Sequence, residues 1–223
     1  LFHLFYYAKD FDTFYRCACW AREHMNEGMF VYALNVAVLH RRDCRGFVLP
    51  APYEIYPFFF LNNEVIAKGQ MLKMQGNIFD KKSADFYGVH QEDKTFFINS
   101  NYSGWYVQAN EESSLSYFTE DVGLNSYYFY FHADYPFWMN GDIYGLNKDR
   151  RGEIFYYTHQ QLLARYYMER LSNDLKEIPK FSWNWPIRTG FMSNLRHGNG
   201  LNFPSRPNFF NVRTEDNLWR LQD

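Results

Sequence analysis

Residues 127–132 read Tyr127-Tyr128-Phe129-Tyr130-Phe131-His132, and residues 153–161 read Glu153-Ile154-Phe155-Tyr156-Tyr157-Thr158-His159-Gln160-Gln161. Both stretches have helical character, and each carries one histidine. Two histidines at i and i+4 on a helix place two imidazoles on one face. A third from an antiparallel neighbour would complete a three-nitrogen metal site. Here the i−4 partner of His132 is Tyr128, so the frame is present with one donor exchanged.

Working outward, the first stretch belongs to an aromatic helix expected from 115 to about 135 and ended by Pro136. The second belongs to a long helix over about 149–172. Its core stripe is expected at Phe155, His159, Leu162 and Tyr166. Glu153 near its start and Arg165 and Arg170 toward its end suit the helix dipole. Asn140-Gly141-Asp142 between the two is a turn signal, and Lys148-Asp149-Arg150-Arg151 a short charged turn.

Upstream, residues 1 to about 40 read as two helices separated by Asn26-Glu27-Gly28, with Gly28 available as a left-handed stop. Met29–Leu39 reads as a buried helix. Arg41–Gly46 is expected as a polar turn, and the prolines of Leu49-Pro50-Ala51-Pro52 impose an extended chain. Residues 64–76 look helical and 77–94 look like loop. Thr95–Ile98 and Trp105–Val107 are β-prone and read as a small hairpin at a domain junction. Glu111–Ser114 reads as a polar linker that supplies a serine cap. After Pro179 the chain reads as long ordered loops.

Composition narrows the function classes. The formal net charge is −2, and there is no polybasic block, which leaves no signature of nucleic-acid or anionic-membrane binding. No apolar run approaches the roughly 20 residues of a membrane span. Cys17 and Cys19 point in different directions on a helix and do not readily pair. No phosphate-binding glycine loop, CxxC pair or nucleophile elbow is present. Phe (23) and Tyr (19) dominate the composition. This surplus fits either a large core with a sticky subunit interface or a chain whose composition is itself the function. Asn101-Tyr102-Ser103 is a glycosylation sequon, read also as a turn sequence. Glu120 and Asp121 beside a helix start read as capping or ion-pair residues. The sequence opens at Leu1 inside an apolar pattern, as expected of a fragment.

Tyr117-Phe118-Thr119-Glu120-Asp121-Val122-Gly123-Leu124-Asn125 resembles the run leading into the first copper-binding helix of arthropod hemocyanins. The stretch from Glu153 to Gln161 resembles the helix that carries the third ligand. Similar matches are Cys19–Arg22, Asn26–Leu34, Ala37–Arg41, Leu49-Pro50, Tyr53–Ile55 and Phe203–Pro207. The resemblance covers nearly the whole chain. Where the family has a His-rich segment, this chain has Tyr127–His132. The resemblance therefore implies degenerate copper positions at Tyr128, His132 and His159. A phenol ionises only near pH ~10 and replaces imidazole poorly at neutral pH. Of the family's second half-site, which has three more histidines, only His197 follows His159.

With aromatic surplus and few methionines, the chain resembles the arylphorin-type hexamerins of that superfamily. The resemblance implies a mainly α fold. Residues 1–110 would be the later part of an N-terminal helical domain, and 111–223 the start of a four-helix bundle with a hairpin at the junction. It implies a secreted hemolymph storage protein, hexameric with related subunits and taken up by a receptor, with glycan acceptor Asn101. No enzyme activity, cofactor, bound metal, nucleic acid or membrane insertion is expected. The alternatives are a copper-containing oxygen carrier or phenoloxidase relative, and a carrier of small hydrophobic ligands.

Overall fold

The computed structural model describes residues 1–76, 80–103 and 110–212, and the described chain is mainly helical with one two-stranded sheet. It forms two compact units. The first joins Leu1–Pro57 to Val122–Thr158, and the second joins Phe58–Asp121 to the chain from His159 onward.

In the first unit the N-terminal region holds three helices, not two: α1 (Phe2–Tyr6), α2 (Phe11–His24) and α3 (Glu27–His40). They pack on one another, and α3 also packs against the later aromatic helix. The core gathers Phe2, Phe5, Phe14, Ala21, Val36 and Ala37 with Ala133, Met139 and Leu146. Gly28 is not a helix stop. It lies buried in the first turn of α3, because the Asn26 side chain accepts the Met29 N–H and starts the helix there. Replacing Asn26 by alanine should cost about 1 kcal/mol. Aspartate at that position should retain most of the stability, and urea denaturation of the two variants checks this.

Within α3, Asn35 is buried and its amide donates to the Val31 carbonyl at 2.8 Å. The two ends of the expected buried run, Met29 and Leu39, are exposed. The segment after α3 is a 3-10 turn over Arg42–Cys44 rather than a merely polar one. Arg41 and Cys44 are almost fully buried. The Arg41 guanidinium donates to the carbonyls of Phe5 (2.7 Å), Tyr6 (2.9 Å) and Ala8 (3.0 Å). It also pairs with Asp43 and lies 4.8 Å above the Phe14 ring. The carbonyls left over at the end of α1 are satisfied by a side chain from 33–36 residues away. After the extended Leu49-Pro50, Pro52 opens the short helix α4 (Pro52–Ile55) at a position that needs no amide donor.

The second unit begins with α5 (Asn63–Met74), as the sequence indicates. Residues expected as loop contain α6 (Lys81–Tyr87), capped by Asp80 and stopped by Gly88 in the left-handed conformation, and the strand β1 (Val89–Glu92). A hairpin is present, but with a different partner. β2 (Thr95–Ile98) pairs antiparallel with β1, Val89 opposite Ile98 and Glu92 opposite Thr95. The connection is Asp93-Lys94, with Asp93 at φ 52°, a tight turn of the kind that closes hairpins. Val89-His90-Gln91-Glu92 carries no apolar alternation, so the strand was not legible as one. Trp105–Val107 lies outside the described residues.

The expected linker Glu111–Ser114 lies in a 3-10 segment, Glu111–Leu115, capped by Asn110 and with Ser113 and Leu115 buried, and no serine side chain caps the helix that follows. The aromatic helix expected from 115 is two helices, α7 (Ser116–Thr119) and α8 (Val122–Asp134), interrupted at Glu120-Asp121. A four-residue helix, α9 (Gly141–Tyr144), is capped by Asn140 and precedes α10 (Arg151–Ser172). Residues after 179 hold their loops by isolated bridges, Ile187 with Phe210, Phe191 with Arg206 and Arg196 with Asn202. Gly190 is required there, since a β-carbon would come within 2.5 Å of the Arg206 carbonyl oxygen.

Candidate functional site

Tyr128 and His132, two of the positions that the resemblance implies to be degenerate copper positions, lie on α8. Tyr128 and His132 sit one turn apart, both half-buried. Their ring centroids lie 4.5 Å apart at 83°, so the phenol packs edge-to-face on the imidazole. Phe131 meets the same imidazole at 5.4 Å and 83°. Edge-to-face pairs of this kind contribute about 0.5–1.5 kcal/mol beyond area burial. The imidazole is thus held among aromatic rings as a packed side chain. The structure brings Tyr128 and His132 together. His159 is on α10, in the part of that helix that belongs to the second unit.

The rest of α8 spends its aromatics structurally. Phe129 meets Tyr32 edge-on at 6.4 Å. The Tyr130 hydroxyl donates to the Pro50 carbonyl at 3.4 Å, and burial pushes its phenol above the usual tyrosine range. Phe131 meets Tyr135 at 5.4 Å. At the helix end His40 bonds the Asp134 carbonyl at 3.3 Å through Nε2, and Lys148 bonds both Asp134 carboxylate oxygens at 3.1 Å. Only Ser126 and Ala133 in this helix are fully buried.

The donor set does not fit copper. A phenol at the first position offers a protonated oxygen where three imidazole nitrogens are wanted, and its ring is spent on stacking. Among the described residues no group of three His, Cys, Asp or Glu side chains could hold a metal ion. His197, the remaining downstream histidine, stacks on Phe203 at 4.1 Å and meets Phe59 edge-on. The three cysteines are free thiols.

The stripe on α10 differs from the expected one. Phe155 is exposed, while His159, Leu162 and Tyr166 are half-buried. The buried positions are Thr158 and Arg170. Among the described residues Arg170 is the largest fully buried side chain. Its guanidinium donates to Glu112 Oε1 (2.9 Å), the Tyr166 hydroxyl (3.2 Å) and the Lys176 carbonyl (3.0 Å). Tyr166 in turn donates to Glu112, and burial raises its phenol above the usual range. The sequence placed Arg170 as a helix-end charge. A hydrophobicity pattern has no means of finding a buried arginine whose carboxylate partner, Glu112, lies 58 residues away in the chain.

The sequon is split by its surroundings. Asn101 is exposed, whereas Ser103 is fully buried. The Ser103 amide donates to Glu120 Oε2 at 2.9 Å, which gives Glu120 a structural use. Among the described residues no helix is long and apolar enough to cross a membrane.

Comparisons with known proteins place this architecture. Residues 51–223 match the family model described as hemocyanin, copper containing domain, and residues 1–46 match hemocyanin, all-alpha domain. The chain is 52% identical to arylphorin subunit alpha of Manduca sexta and 50% identical to arylphorin of Antheraea pernyi, in both cases over all of its length. It spans 32% and 31% of those relatives. Hexamerin of Blaberus discoidalis is 44% identical over 96% of the chain and 27% of its own length. Among solved structures, a scorpion hemocyanin matches with TM-score 0.69 and 38% identity, over 92% of this chain and 30% of that one. A hemolymph-type prophenoloxidase from a crustacean matches with TM-score 0.73 and 30% identity, over 94% and 30%. The chain belongs to the hemocyanin family, with the arylphorin-type hexamerins of insects.

Proposed function

We propose that this chain is part of a secreted hemolymph storage protein, accumulated before metamorphosis and broken down for its amino acids, its aromatic residues serving cuticle as well. The observation that carries this reading is Tyr128, packed against His132 where an oxygen carrier of the family would hold a copper ligand. The arylphorin and hexamerin relatives support it. So does the spread of large aromatics over the surface, with Tyr156, Trp185 and Phe137 mostly exposed. A core accounts for buried rings and not for these. An oxygen carrier or phenoloxidase is the rival reading, and the donor set argues against it.

The reading includes no enzyme activity and assembly as a hexamer with related subunits, part of the exposed aromatic surface lying at interfaces. It also includes uptake through a receptor. The domain division belongs to the proposal too. The change of family model between residues 46 and 51 supports a boundary well upstream of the one expected at 110. The test follows the protein through development after labelling its tyrosines. The storage reading expects its hemolymph level to peak before pupation and fall, with label passing into adult tissue and cuticle. A constant level with label retained in the intact protein would contradict it.

Asn101 is proposed as the glycan acceptor. Glycosylation at the exposed side chain precedes burial of Ser103 if it occurs on the nascent chain. Asn101→Gln should increase electrophoretic mobility by one glycan, and enzymatic deglycosylation should then leave the variant unchanged at this site.

A further inference from the structure

The first unit carries an open cleft of about 880 Å³, which neither Tyr128 nor His132 lines. Small-molecule sites have volumes of this order. Its walls come from the connection after α1, from the end of α3 with the 3-10 turn that follows, and from the end of α8 with α9. Five cationic side chains line it against three carboxylates, although the chain as a whole has a net charge of −2. Two of the five cations are spent. Arg41 is bound to Asp43 and to three main-chain carbonyls, and Lys148 is bound to Asp134. Lys9 meets Asp10 at 3.9 Å, with the two side chains 80% and 54% exposed, and such a pair contributes little. Among the described residues neither Arg42 nor Arg45 has an ion-pair partner. The turn that carries them is anchored, since Cys44 is buried and Arg41 ties the segment to the end of α1. Its backbone is therefore set before any ligand arrives, which lowers the ordering cost of binding. Leu39 and Ile143, 43% and 65% exposed, add carbon surface to the same cleft.

We propose that this cleft binds a small organic anion bearing two or more phosphoryl groups. Arg42 and Arg45 take phosphoryl oxygens, Lys9 supplies a third charge, and Leu39 and Ile143 cover part of the carbon body. A planar guanidinium fork meets such oxygens with paired hydrogen bonds. A terminal phosphoryl group offers three acceptor oxygens where a carboxylate offers two, which suits two forks and an ammonium served by one ligand. A single inorganic phosphate would fill a small part of the cleft and engage few of the free cations. No bond is made or broken in this step. Binding here is separate from the storage role and from the positions on α8.

The test titrates the full-length protein calorimetrically, at low ionic strength where such contacts are least screened, with ATP free of divalent metal. Inorganic triphosphate, citrate and adenosine are the comparison probes. The expected result is saturable binding of one ATP per chain, weaker binding of triphosphate and citrate, and none of adenosine. Arg42→Gln combined with Arg45→Gln should weaken ATP binding by about tenfold or more, as the loss of two charge-assisted contacts implies. Lys73→Gln combined with Lys82→Gln removes the same charge from the second unit and should leave ATP binding unchanged. Absence of saturable ATP binding, binding of triphosphate, citrate or adenosine as tight as that of ATP, or equal losses in the two double variants would overturn the proposal. Arginine labelling of the unaltered protein decides the question if a variant fails to fold. ATP should slow phenylglyoxal labelling of Arg42 and Arg45 and leave Arg188, 72% exposed in the second unit, unaffected. Unchanged labelling at residues 42 and 45 would overturn the site.

Discussion

Arg41→Ala is expected to lower the stability of the first unit by about 3 kcal/mol, because buried and half-buried acceptors lose their charged donor. Arg41 is 6% exposed and is the shared donor for three main-chain carbonyls at the end of α1. Without it those carbonyls lose a charged partner, and Asp43 keeps a charge with no counterion. Each unsatisfied buried acceptor costs on the order of 1–3 kcal/mol, more than an ordinary surface hydrogen bond contributes. Lysine should recover only part of the loss, because it lacks the planar fork that serves Asp43 and the carbonyls together. Hydrogen exchange over residues 1–9, with urea denaturation of the whole protein, reads the effect. Protection of that segment in Arg41→Ala equal to the unaltered protein would sink the assignment.

Arg170→Ala should have a comparable cost in the second unit, about 3 kcal/mol or more. Glu112 would lose its cation, and the Lys176 carbonyl its donor, so the turn after α10 and the 111–115 segment would loosen together. The contrast is Arg165, whose pair with Glu169 has the arginine side chain 63% exposed. Arg165→Ala should cost roughly 0–1 kcal/mol, as exposed pairs do. A double variant, Arg170→Met with Glu112→Gln, should recover part of the loss, because no unpaired charge then remains. Equal losses at 165 and 170 in urea denaturation would show that burial is not the deciding factor.

These two arginines show where sequence reading ends. α3, α5 and α10 were legible because their apolar positions or start and stop residues are local signals. The 3-10 turn after α3 was read as polar, since Arg41-Arg42-Asp43 is polar by composition. Its burial depends on α1, which lies more than thirty residues earlier. The hairpin was legible as a hairpin, but the strand Val89–Glu92 has no alternation to betray it. At the break in the aromatic helix Glu120 accepts the Ser103 amide, a contact from 17 residues away that no local pattern shows. The candidate site was the most legible feature. An i, i+4 spacing puts Tyr128 and His132 on one helix face, and it is the resemblance that implies copper positions there. What spacing does not supply is the edge-to-face contact by which Tyr128 packs on His132.

We propose that Tyr128 ends the copper chemistry of this family member and leaves a protein whose composition is its use. The direct test is the copper content of the native protein purified from hemolymph without chelators, read with the absorbance of an oxygenated dicopper centre. Copper far below one ion per chain, with no such absorbance, is the expected result. Two coppers per chain with oxygen-dependent absorbance would contradict it.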